Sequence, residues 1–405
     1  MHVLIITPHY PPDGGPSAPL FRMLAEELVQ RGHALSVVAA TPHYPGGRPP
    51  DGWVRPPGGR ETREGVEIHW VAVPAVDRSR LTRRLQQFAA YQLGAAWRVR
   101  GLRPDVAIAS GPGLQTVLPF LLARRRAART VFSVHDVYPD IGVTLGIFRH
   151  RSVIALVTAL ERACLRAADK VRYLAPAFRA PLLRMGVTEA RLSFIPDWVD
   201  TQFVRPLPRD NAFAREHGLT GRFVVLYGGN LGFSQGLESV IDAAALLRER
   251  DDIRFAFVGQ GAGRSALLAR AHEAELANVS FIDYQPRERL PELLASGDAG
   301  LVSMRRSTVD SLPSKVYSHL ASGRPLLAAV PPTGDVAGLL RRANAAQLVA
   351  PEDPRAIADG VLSLAALAPA ELAAMGERGR AFAVEHHSPQ AAATSFEALL
   401  QSAPA

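Results

Sequence analysis

The sequence predicts an α/β protein of two domains, each built on a mainly parallel β-sheet. The chain has 405 residues, 47% hydrophobic and 21% charged, which is enough for two ordinary globular cores. A short apolar strand, a glycine-rich turn and an amphipathic helix open the chain, and the same pattern starts again at residue 223. Between the two halves, residues 201–221 lack the periodic pattern of apolar residues, as is typical of a linker. We therefore predict domains over residues 1–205 and 216–385.

The elements of the first half follow from its apolar runs. Residues 3–7 form a short buried strand ended by Pro8, and a loop containing Gly14 and Gly15 leads into a helical pattern over residues 17–31. Gly32 is a natural helix stop, and residues 34–40 form the next strand. Further strands are predicted at residues 106–109, 130–134, 171–175 and 192–195.

The second half repeats this plan. Residues 223–227 predict a strand, residues 228–232 a glycine-rich turn and residues 237–250 an amphipathic helix. Further strands are predicted at residues 254–258, 279–282, 299–303 and 325–329, and further helices at 314–322, 370–385 and 389–401. In such sheets ligands bind beyond the carboxyl ends of the strands, so we expect a site between the two halves.

The composition excludes several protein classes. The single cysteine, Cys164, excludes an internal disulfide framework and a cysteine-based zinc site. No apolar stretch reaches about 18 residues, and the N-terminus lacks the features of a signal peptide, so we expect a cytoplasmic protein.

Basic residues are concentrated in one segment. The chain carries a net charge of +8, and residues 78–151 contain thirteen arginines against three acidic residues. Such a surface is typical of contact with a polyanion or an anionic membrane, although a solvated helix face explains it equally well.

The missing motifs narrow the chemistry. Only Lys170 and Lys315 are lysines, and neither follows a glycine, which excludes a Walker A loop. The chain has no H-E-x-x-H or D-x-D motif, and its glycines at 259, 261 and 263 do not complete G-x-G-x-x-G. These absences argue against zinc hydrolases, kinases and dehydrogenases.

Three features remain as candidate binding groups. The glycine pairs Gly14–Gly15 and Gly228–Gly229 precede helices and allow close approach of a phosphate to backbone N–H groups.

Lys315 stands at a helix start after Pro313 and Ser314. A cation at this position opposes the helix dipole unless an anionic ligand binds there. His135 follows an apolar strand and can donate a hydrogen bond or a proton to a sugar or phosphate oxygen.

Five motifs together resemble family 4 glycosyltransferases of the bacterial colanic-acid, O-antigen and exopolysaccharide type. They are the opening VLIITPHYPP with Gly14–Gly15, VHDVYPD from Val134, IPDWVD from Ile195, YGGNLG with QGL from Tyr227, and PSK through GRP from Pro313. The resemblance covers essentially the whole chain. It implies a GT-B fold of two Rossmann-like domains facing a cleft, with residues 386–405 crossing back to the first domain.

The resemblance also implies an activity. It points to a hexosyl- or N-acetylhexosaminyltransferase that uses a nucleotide-sugar, retains the anomeric configuration and requires no metal or other cofactor. His135, Lys315 and Asp310 are the implied catalytic residues. The implied donor-binding residues are Gly14, Gly15, Gly229, Asn230, Gly232, Gln235, Gly259, Tyr284, Pro313, Ser314 and Tyr317.

The chain departs from the family pattern at one carboxylate. The family's E-x7-E pair appears as Asp310 and Ser318, so the ribose contact is in doubt and charge neutralisation falls on Lys315, helix N-termini and Arg305 or Arg306. No pair of carboxylates is apparent for a double displacement, which favours front-face substitution. A non-catalytic sugar-nucleotide binder and an epimerase of the same fold are the alternatives, and no recognition element supports nucleic-acid binding.

The partners follow from the same resemblance and from the basic segment. We expect a UDP-linked donor, a polyprenyl-diphosphate-linked saccharide acceptor, and peripheral attachment to the inner face of the cytoplasmic membrane. Arg80, Arg83, Arg84 and Phe88 are the predicted acceptor and membrane contacts, on a helix able to lie on anionic lipid.

Overall fold

The structure is a computed structural model that describes residues 1–76, 81–144, 148, 150–307 and 312–402. It divides into unit 1, Met1–Asp197 with Pro389–Ala405, and unit 2, Trp198–Ser388. The second unit thus begins before residue 216 and includes the stretch that the sequence suggests as a linker. The reason is that Arg380 donates hydrogen bonds to the carbonyl oxygens of Thr201 and Val204, and Arg324 donates to that of Leu207.

Unit 1 contains an eight-stranded sheet. Its strands are β1 (His2–Ile6), β2 (Ala34–Ala40), β3 (Arg60–Arg63), β4 (Val66–Val71), β5 (Val106–Ser110), β6 (Arg129–Val134), β7 (Lys170–Tyr173) and β8 (Leu192–Phe194). Their order is β3-β4-β2-β1-β5-β6-β7-β8, and every pair is parallel except β3–β4. The strand order reverses at β1, so the switch point lies between the carboxyl ends of β1 and β5.

Helices connect these strands. They are α1 (Ala18–Gln30), α2 (Leu81–Val99), α3 (Gly113–Arg124), α4 (Asp140–Thr144), α5 (Arg151–Ala167) and α6 (Arg179–Arg184). The side chains from Val3 to Ile6 on β1 are fully buried, as expected for a central parallel strand covered on both faces. Helix α2 contacts α3, and α3 contacts α5.

Unit 2 contains a six-stranded parallel sheet. Its strands are β9 (Phe223–Gly228), β10 (Ile253–Val258), β11 (Val279–Ile282), β12 (Ala299–Ser303), β13 (Leu326–Ala329) and β14 (Ala346–Val349), in the order β11-β10-β9-β12-β13-β14. Its helices are α7 (Ala212–Glu216), α8 (Glu238–Leu246), α9 (Arg264–Glu273), α10 (Leu290–Ala295), α11 (Lys315–Ala321), α12 (Asp335–Ala343), α13 (Pro354–Ala365) and α14 (Pro369–His387). This is the Rossmann strand order, with its switch point between β9 and β12.

The last helix, α15 (Pro389–Ser402), belongs to unit 1 and packs on α1. Glu397 forms ion pairs with Arg31 (2.5 Å) and His33 (2.9 Å). No single helix of the described chain is long and apolar enough to span a membrane. Only the pair Pro354–Ala365 and Pro369–Gln401, taken together across a 109° bend, meets the length and composition criteria.

The two-domain α/β class is confirmed, and the predicted strands are present within a few residues of their expected bounds. Strands β3, β4 and β14 are additional to them. The sequence of β3, RETR, contains no apolar residue, and Glu67 and His69 interrupt the apolar run of β4. All four residues of β14 are only partly buried. Local hydrophobicity therefore does not mark these strands.

Candidate active site

In unit 1 the loop between β1 and α1 is organised around the buried carboxylate of Asp13. Its Oδ1 accepts hydrogen bonds from His9 Nδ1 and the Gly15 N–H, both at 2.8 Å. Its Oδ2 accepts from the N–H groups of His43 (2.6 Å) and Tyr44 (2.9 Å). Burial acts to raise the pKa of Asp13, but His9 and the backbone N–H groups of His43 and Tyr44 outweigh it and lower the pKa to about 2. An ionised carboxylate therefore anchors this loop.

The two glycines of this loop have structural roles. A Cβ at Gly15 would lie 2.4 Å from Cγ of His9, so no side chain fits there. The Gly15 N–H is bound to Asp13, and the Gly14 N–H donates to the carbonyl oxygen of Tyr44 at 3.2 Å. Both N–H groups predicted to face a phosphate are thus already used within the loop.

His9, Asp13 and His43 also have the spacing of metal ligands, since their ligand atoms lie within 4.8 Å of one another. Each oxygen of Asp13 already accepts two hydrogen bonds, and His43 Nδ1 donates to the carbonyl oxygen of Thr41 at 3.0 Å. These bonds fit a loop anchor better than a metal centre.

His135 stands directly after β6, near the start of α1. Its ring meets that of Phe21 edge-on, with centroids 5.6 Å apart, which brings it close to the glycine loop. Its Nε2 lies 3.4 Å from Oγ of Ser133. Burial and the positive charge of Arg172 lower the pKa of His135 to about 4, although the negative charge of Asp197 opposes them. His135 is therefore neutral at physiological pH.

Two carboxylates lie near this histidine. Burial and the charge of Asp197 raise the pKa of Asp136 to about 6. Asp197 itself accepts a hydrogen bond from Arg172 Nη2 at 2.6 Å. The sequence does not reveal this pair, because the two residues follow different strands, β6 and β8. A carboxyl group with a pKa near 6 is suited to proton transfer.

In unit 2 the ammonium group of Lys315 lies against Tyr227, the penultimate residue of β9. Nζ donates to Tyr227 Oη at 2.5 Å and lies 4.0 Å from the centre of the ring. The Tyr227 hydroxyl in turn donates to the carbonyl oxygen of Asn230 at 2.7 Å. Among the described residues no carboxylate forms an ion pair with Lys315, and burial lowers its pKa to about 7. A cation is thus enclosed here without a matching anion.

The glycine turn after β9 surrounds this lysine. Gly229 has a φ of +136°, and a Cβ there would lie 3.6 Å from Lys315 Nζ. A Cβ at Gly259, after β10, would lie 2.0 Å from the carbonyl oxygen of Gly229, so these two turns touch. A Cβ at Gly232 would lie 2.9 Å from side-chain atoms of both Asn230 and Gln235. The structure therefore brings these predicted donor-binding residues together at the switch point of the second sheet.

Arg305 is close to the same turn, but its charge is already balanced. Its guanidinium donates to Glu352 and Glu238, each at 3.0 Å, and to the carbonyl oxygen of Phe233 at 2.5 Å. The backbone N–H of Arg306 also donates to Glu352, at 2.9 Å. These bonds favour a role for Arg305 in fixing the turn, whereas Lys315 has no such carboxylate partner among the described residues.

The remaining predicted donor-binding residues occupy different surroundings. Pro313 is half-buried and Ser314 exposed, directly before α11. Tyr284 is 70% exposed after β11. Tyr317 is fully buried, with its ring 4.4 Å from that of His387, and this placement argues against a donor contact through its side chain. Asp310 lies outside the described residues.

The predicted membrane contacts lie at the start of α2. Arg83 is exposed, Arg84 and Phe88 are half-buried, and Arg80 lies outside the described residues. The more exposed apolar side chains are further along the helix: Leu93 is 66% exposed and Trp97 is 70% exposed. The apolar surface of α2 is therefore displaced from the predicted position toward its C-terminal half.

Several residues of these two clusters are absent from the sequence prediction, namely Asp13, Ser133, Arg172, Asp197 and Tyr227. Asp197 and Tyr227 stand within quoted motifs, and Asp13 lies between Pro12 and Gly14 of the first one, so their position was a usable signal. Arg172 lies inside an apolar strand, where a polar side chain in a buried run was the only clue.

Comparison with known proteins assigns the family. A model described as "Glycosyl transferase 4-like domain" matches residues 14–198, and one described as "Glycosyl transferases group 1" matches residues 209–382. The chain is 30% identical over 335 residues to the putative colanic acid biosynthesis glycosyl transferase WcaI of Escherichia coli, covering 80% of this chain and 82% of the relative.

Solved structures share the fold. Sucrose-phosphate synthase from Thermosynechococcus elongatus aligns with a TM-score of 0.73 at 19% identity over 99% of this chain and 98% of its own. Anabaena HepE in complex with UDP and glucose aligns with a TM-score of 0.70 at 15% identity over 99% and 100%. The chain therefore belongs to the family 4 glycosyltransferases with the GT-B fold.

Proposed function

We propose that this chain transfers a hexosyl or N-acetylhexosaminyl group from a UDP-sugar to a polyprenyl-diphosphate-linked saccharide, with retention of configuration, in assembly of a bacterial surface polysaccharide. Its relatives support the general pathway, since WcaI is named for colanic acid biosynthesis. The HepE structure solved with UDP and glucose supports the class of donor.

The observation that carries the proposal is the enclosed ammonium group of Lys315. It lies against Tyr227 and the Gly229 turn, and no carboxylate among the described residues pairs with it. Enclosing a cation without a paired anion costs desolvation free energy, unless a ligand supplies the negative charge. The diphosphate of a nucleotide-sugar supplies it, and it gains further charge as the sugar departs.

The reaction then needs few protein groups. Lys315 stabilises the departing nucleoside diphosphate, which removes the need for a metal ion at that step. His135 offers a neutral imidazole to an oxygen of the transferred sugar. The departing phosphate takes the proton of the acceptor hydroxyl as the new glycosidic bond forms on the same face of the sugar, so the configuration is retained.

The purified chain tests this proposal directly. Nucleotide-sugars are first screened by thermal shift, because a bound donor raises the melting temperature. The stabilising donor is then incubated with a lipid-linked saccharide, and nucleoside diphosphate release and the anomeric configuration of the product are measured. Donor isomerisation without acceptor would indicate an epimerase. Binding without release would indicate a non-catalytic binder.

We further propose peripheral attachment to the inner face of the cytoplasmic membrane through α2 and α3. Gln92 joins these helices, since its Nε2 donates to the Leu114 carbonyl oxygen and its Oε1 accepts from the Leu118 N–H. Exposed apolar side chains therefore lie side by side on the two helices, next to basic residues: Leu93, Trp97, Leu118 and Leu121 beside Arg100, Arg124, Arg125 and Arg126. Tryptophan and arginine together suit the boundary of an anionic bilayer.

Liposome co-sedimentation tests the attachment. The chain should bind vesicles containing anionic lipid at low salt, and the variant Trp97→Ser/Leu118→Ser should bind several-fold more weakly. Leu246→Ser is the matched control, because Leu246 is 57% exposed on α8 of unit 2, outside the basic segment. Equal binding by the three proteins, or none by the unmodified chain, would contradict the proposal.

A further inference from the structure

Arg172 is a completely buried arginine in the centre of unit 1. It lies on β7, directly opposite Ser133 of β6 in the register of the sheet. Its Nε donates to the Ile195 carbonyl oxygen at 2.7 Å, its Nη1 to Ser133 Oγ at 3.2 Å, and its Nη2 to Asp197 Oδ1 at 2.6 Å. Groups on or following the two neighbouring strands, β6 and β8, thus fix the plane of this guanidinium.

The bond to Ser133 has a consequence for His135. A guanidinium has no acceptor, so Ser133 Oγ must accept the proton from Arg172 Nη1. The hydroxyl hydrogen of Ser133 is then free to point toward its other neighbour, Nε2 of His135, at 3.4 Å. Donation by this hydroxyl makes Nε2 the acceptor and places the imidazole proton on Nδ1. In the alternative, the second lone pair of Oγ accepts an Nε2–H, and the hydroxyl hydrogen is bound by neither of these two neighbours.

Burial and the charge of Arg172 favour the neutral form of His135, and the charge of Asp197 opposes them. Arg172 faces it from β7 and Asp197 from the segment after β8, while Asp136 is the next residue in the chain. Burial and Arg172 lower the pKa of His135 to about 4, and Asp197 is held in its ion pair with Arg172. In the part of the chain that the structure describes, no acceptor meets Nδ1, which leaves its N–H for a ligand.

We propose that Arg172 and Ser133 are positioning residues that hold His135 as the neutral Nδ1–H tautomer, with that N–H available to an oxygen of the transferred sugar. The inference rests on the proposed function for its sugar contact, whereas the tautomer is a property of the free protein. Neither residue touches the substrate in this arrangement, because both act through the imidazole.

Nitrogen NMR of the full chain labelled with 15N-histidine measures the tautomer without any substrate. The signals of His135 are identified by their loss in His135→Gln. We expect the Nδ1–H form in the unmodified protein from pH 6 to 8. In Ser133→Ala the hydroxyl is absent, and we expect a mixture of both tautomers with the fold retained.

A matched control is available in the same sheet. Ser36 is also a buried serine whose Oγ contacts a histidine Nε2, that of His2, at 2.9 Å on the neighbouring strand. Ser36→Ala therefore makes the same chemical change away from His135 and should leave its signals unchanged. If Ser36→Ala also changes the His135 signals, the effect of Ser133→Ala results from a general loosening of the sheet, and the proposal is overturned.

The kinetic test uses the rate and its pH dependence. Ser133→Ala should lower kcat about tenfold while KM for the donor changes less than threefold, because the sugar is misaligned more than its nucleotide. Arg172→Met should raise the titration midpoint of His135, and the pH below which the rate falls should rise with it, while burial, the larger cause, keeps the midpoint below 6.5. Arg172→Lys, which keeps the positive charge, should leave the midpoint low, so the result does not depend on the folding of one variant.

Two outcomes separate this inference from the proposed function. An Nε2–H tautomer in the unmodified protein, or Ser133→Ala with an unchanged tautomer and kcat, would overturn the positioning role even in an active transferase. The expected tautomer and its loss in Ser133→Ala, in a chain that transfers no sugar, would support the positioning of His135 and refute the proposed function.

Discussion

The two glycine-rich turns of this chain share a sequence pattern but differ in their electrostatics. In unit 1 the turn closes on the chain's own carboxylate, Asp13, which accepts the Gly15 N–H. The next helix at that switch point, α3, is similar, because Glu161 accepts the N–H of Gly113 at 2.7 Å. In unit 2 the turn closes on a cation, Lys315, without a paired carboxylate among the described residues.

This difference shows what a glycine turn can and cannot reveal. Glycine permits close packing against the chain's own atoms in both units, and the N–H groups of Gly15 and Gly229 are both bound internally. The location of unbalanced charge distinguishes the two turns, and it favours unit 2 as the site of an anionic ligand. Five predictions rest on this comparison, in decreasing order of expected effect.

Replacing Lys315 should separate activity from stability. Lys315→Met should lower kcat/KM by about 100- to 1,000-fold, since a preorganised charge on the leaving group is lost. Without ligand its melting temperature should stay equal or rise, because a buried amine is replaced by an apolar chain of similar length.

The chain offers one matched control for this change. Lys170→Met alters the only other lysine, whose Nζ donates to the Ala190 carbonyl oxygen in unit 1, and should leave kcat/KM within about twofold. Steady-state kinetics and thermal melts measure both variants. Equal activity of Lys315→Met and the unmodified chain would contradict the assignment of unit 2.

Replacing Asp13 should mainly lower stability, whereas replacing Lys315 should mainly lower activity. Asp13→Ala leaves the buried N–H groups of Gly15, His43 and Tyr44 without their acceptor, so we expect the free energy of unfolding to fall by about 3 kcal/mol. Denaturant titration measures it. A fall below 0.5 kcal/mol would show that the carboxylate does not anchor this loop.

The same carboxylate predicts a pH dependence. The folded pKa of Asp13, about 2, lies below its usual value of 3.8, so its contribution is complete above that value and is lost as the pH falls toward 2. The shift corresponds to about 2 kcal/mol. Denaturant titrations of the unmodified chain and of Asp13→Asn at pH 7 and pH 3 isolate the contribution of the Asp13 charge to the free energy of unfolding. A difference between the two proteins that is the same at both pH values would contradict this contribution.

Donor binding should take up a proton at unit 2. Burial lowers the pKa of Lys315 to about 7, so much of it is neutral at pH 8, and a bound diphosphate raises that pKa again. We expect uptake approaching one proton with UDP-glucose at pH 8 and little at pH 6. Affinity should therefore fall as the pH rises above 7. Calorimetry in buffers of different ionisation enthalpy measures the number of protons taken up. If Lys315→Met takes up the same number of protons on binding, the titrating group is not Lys315.

The smallest effect is expected at Arg305. Its guanidinium is shared between Glu238 and Glu352, so Arg305→Met should change donor affinity less than threefold and lower stability by about 1 kcal/mol. A loss of affinity comparable to that of Lys315→Met would show that unit 2 uses two cations.

The sequence was sufficient for the fold and for the cation of unit 2. Regular alternation of apolar strands and helices predicts the two sheets, and the rarity of lysine draws attention to Lys315. The contacts of Asp13, Arg172 and Tyr227 were not predictable, because each joins segments far apart in the chain. The roles of Gly14 and Gly15 depend on such contacts, since only the fold shows that their N–H groups are bound internally.

The position of the last helix in the chain affects how unit 1 folds during synthesis. Helix α15 completes unit 1 by packing on α1, yet it is synthesised after all of unit 2. A nascent chain that has left the ribosome as far as residue 197 therefore exposes the surface of α1 that α15 later covers. Folding of unit 1 during synthesis remains incomplete until α15 has left the ribosome, and a fragment ending before residue 389 keeps that surface exposed.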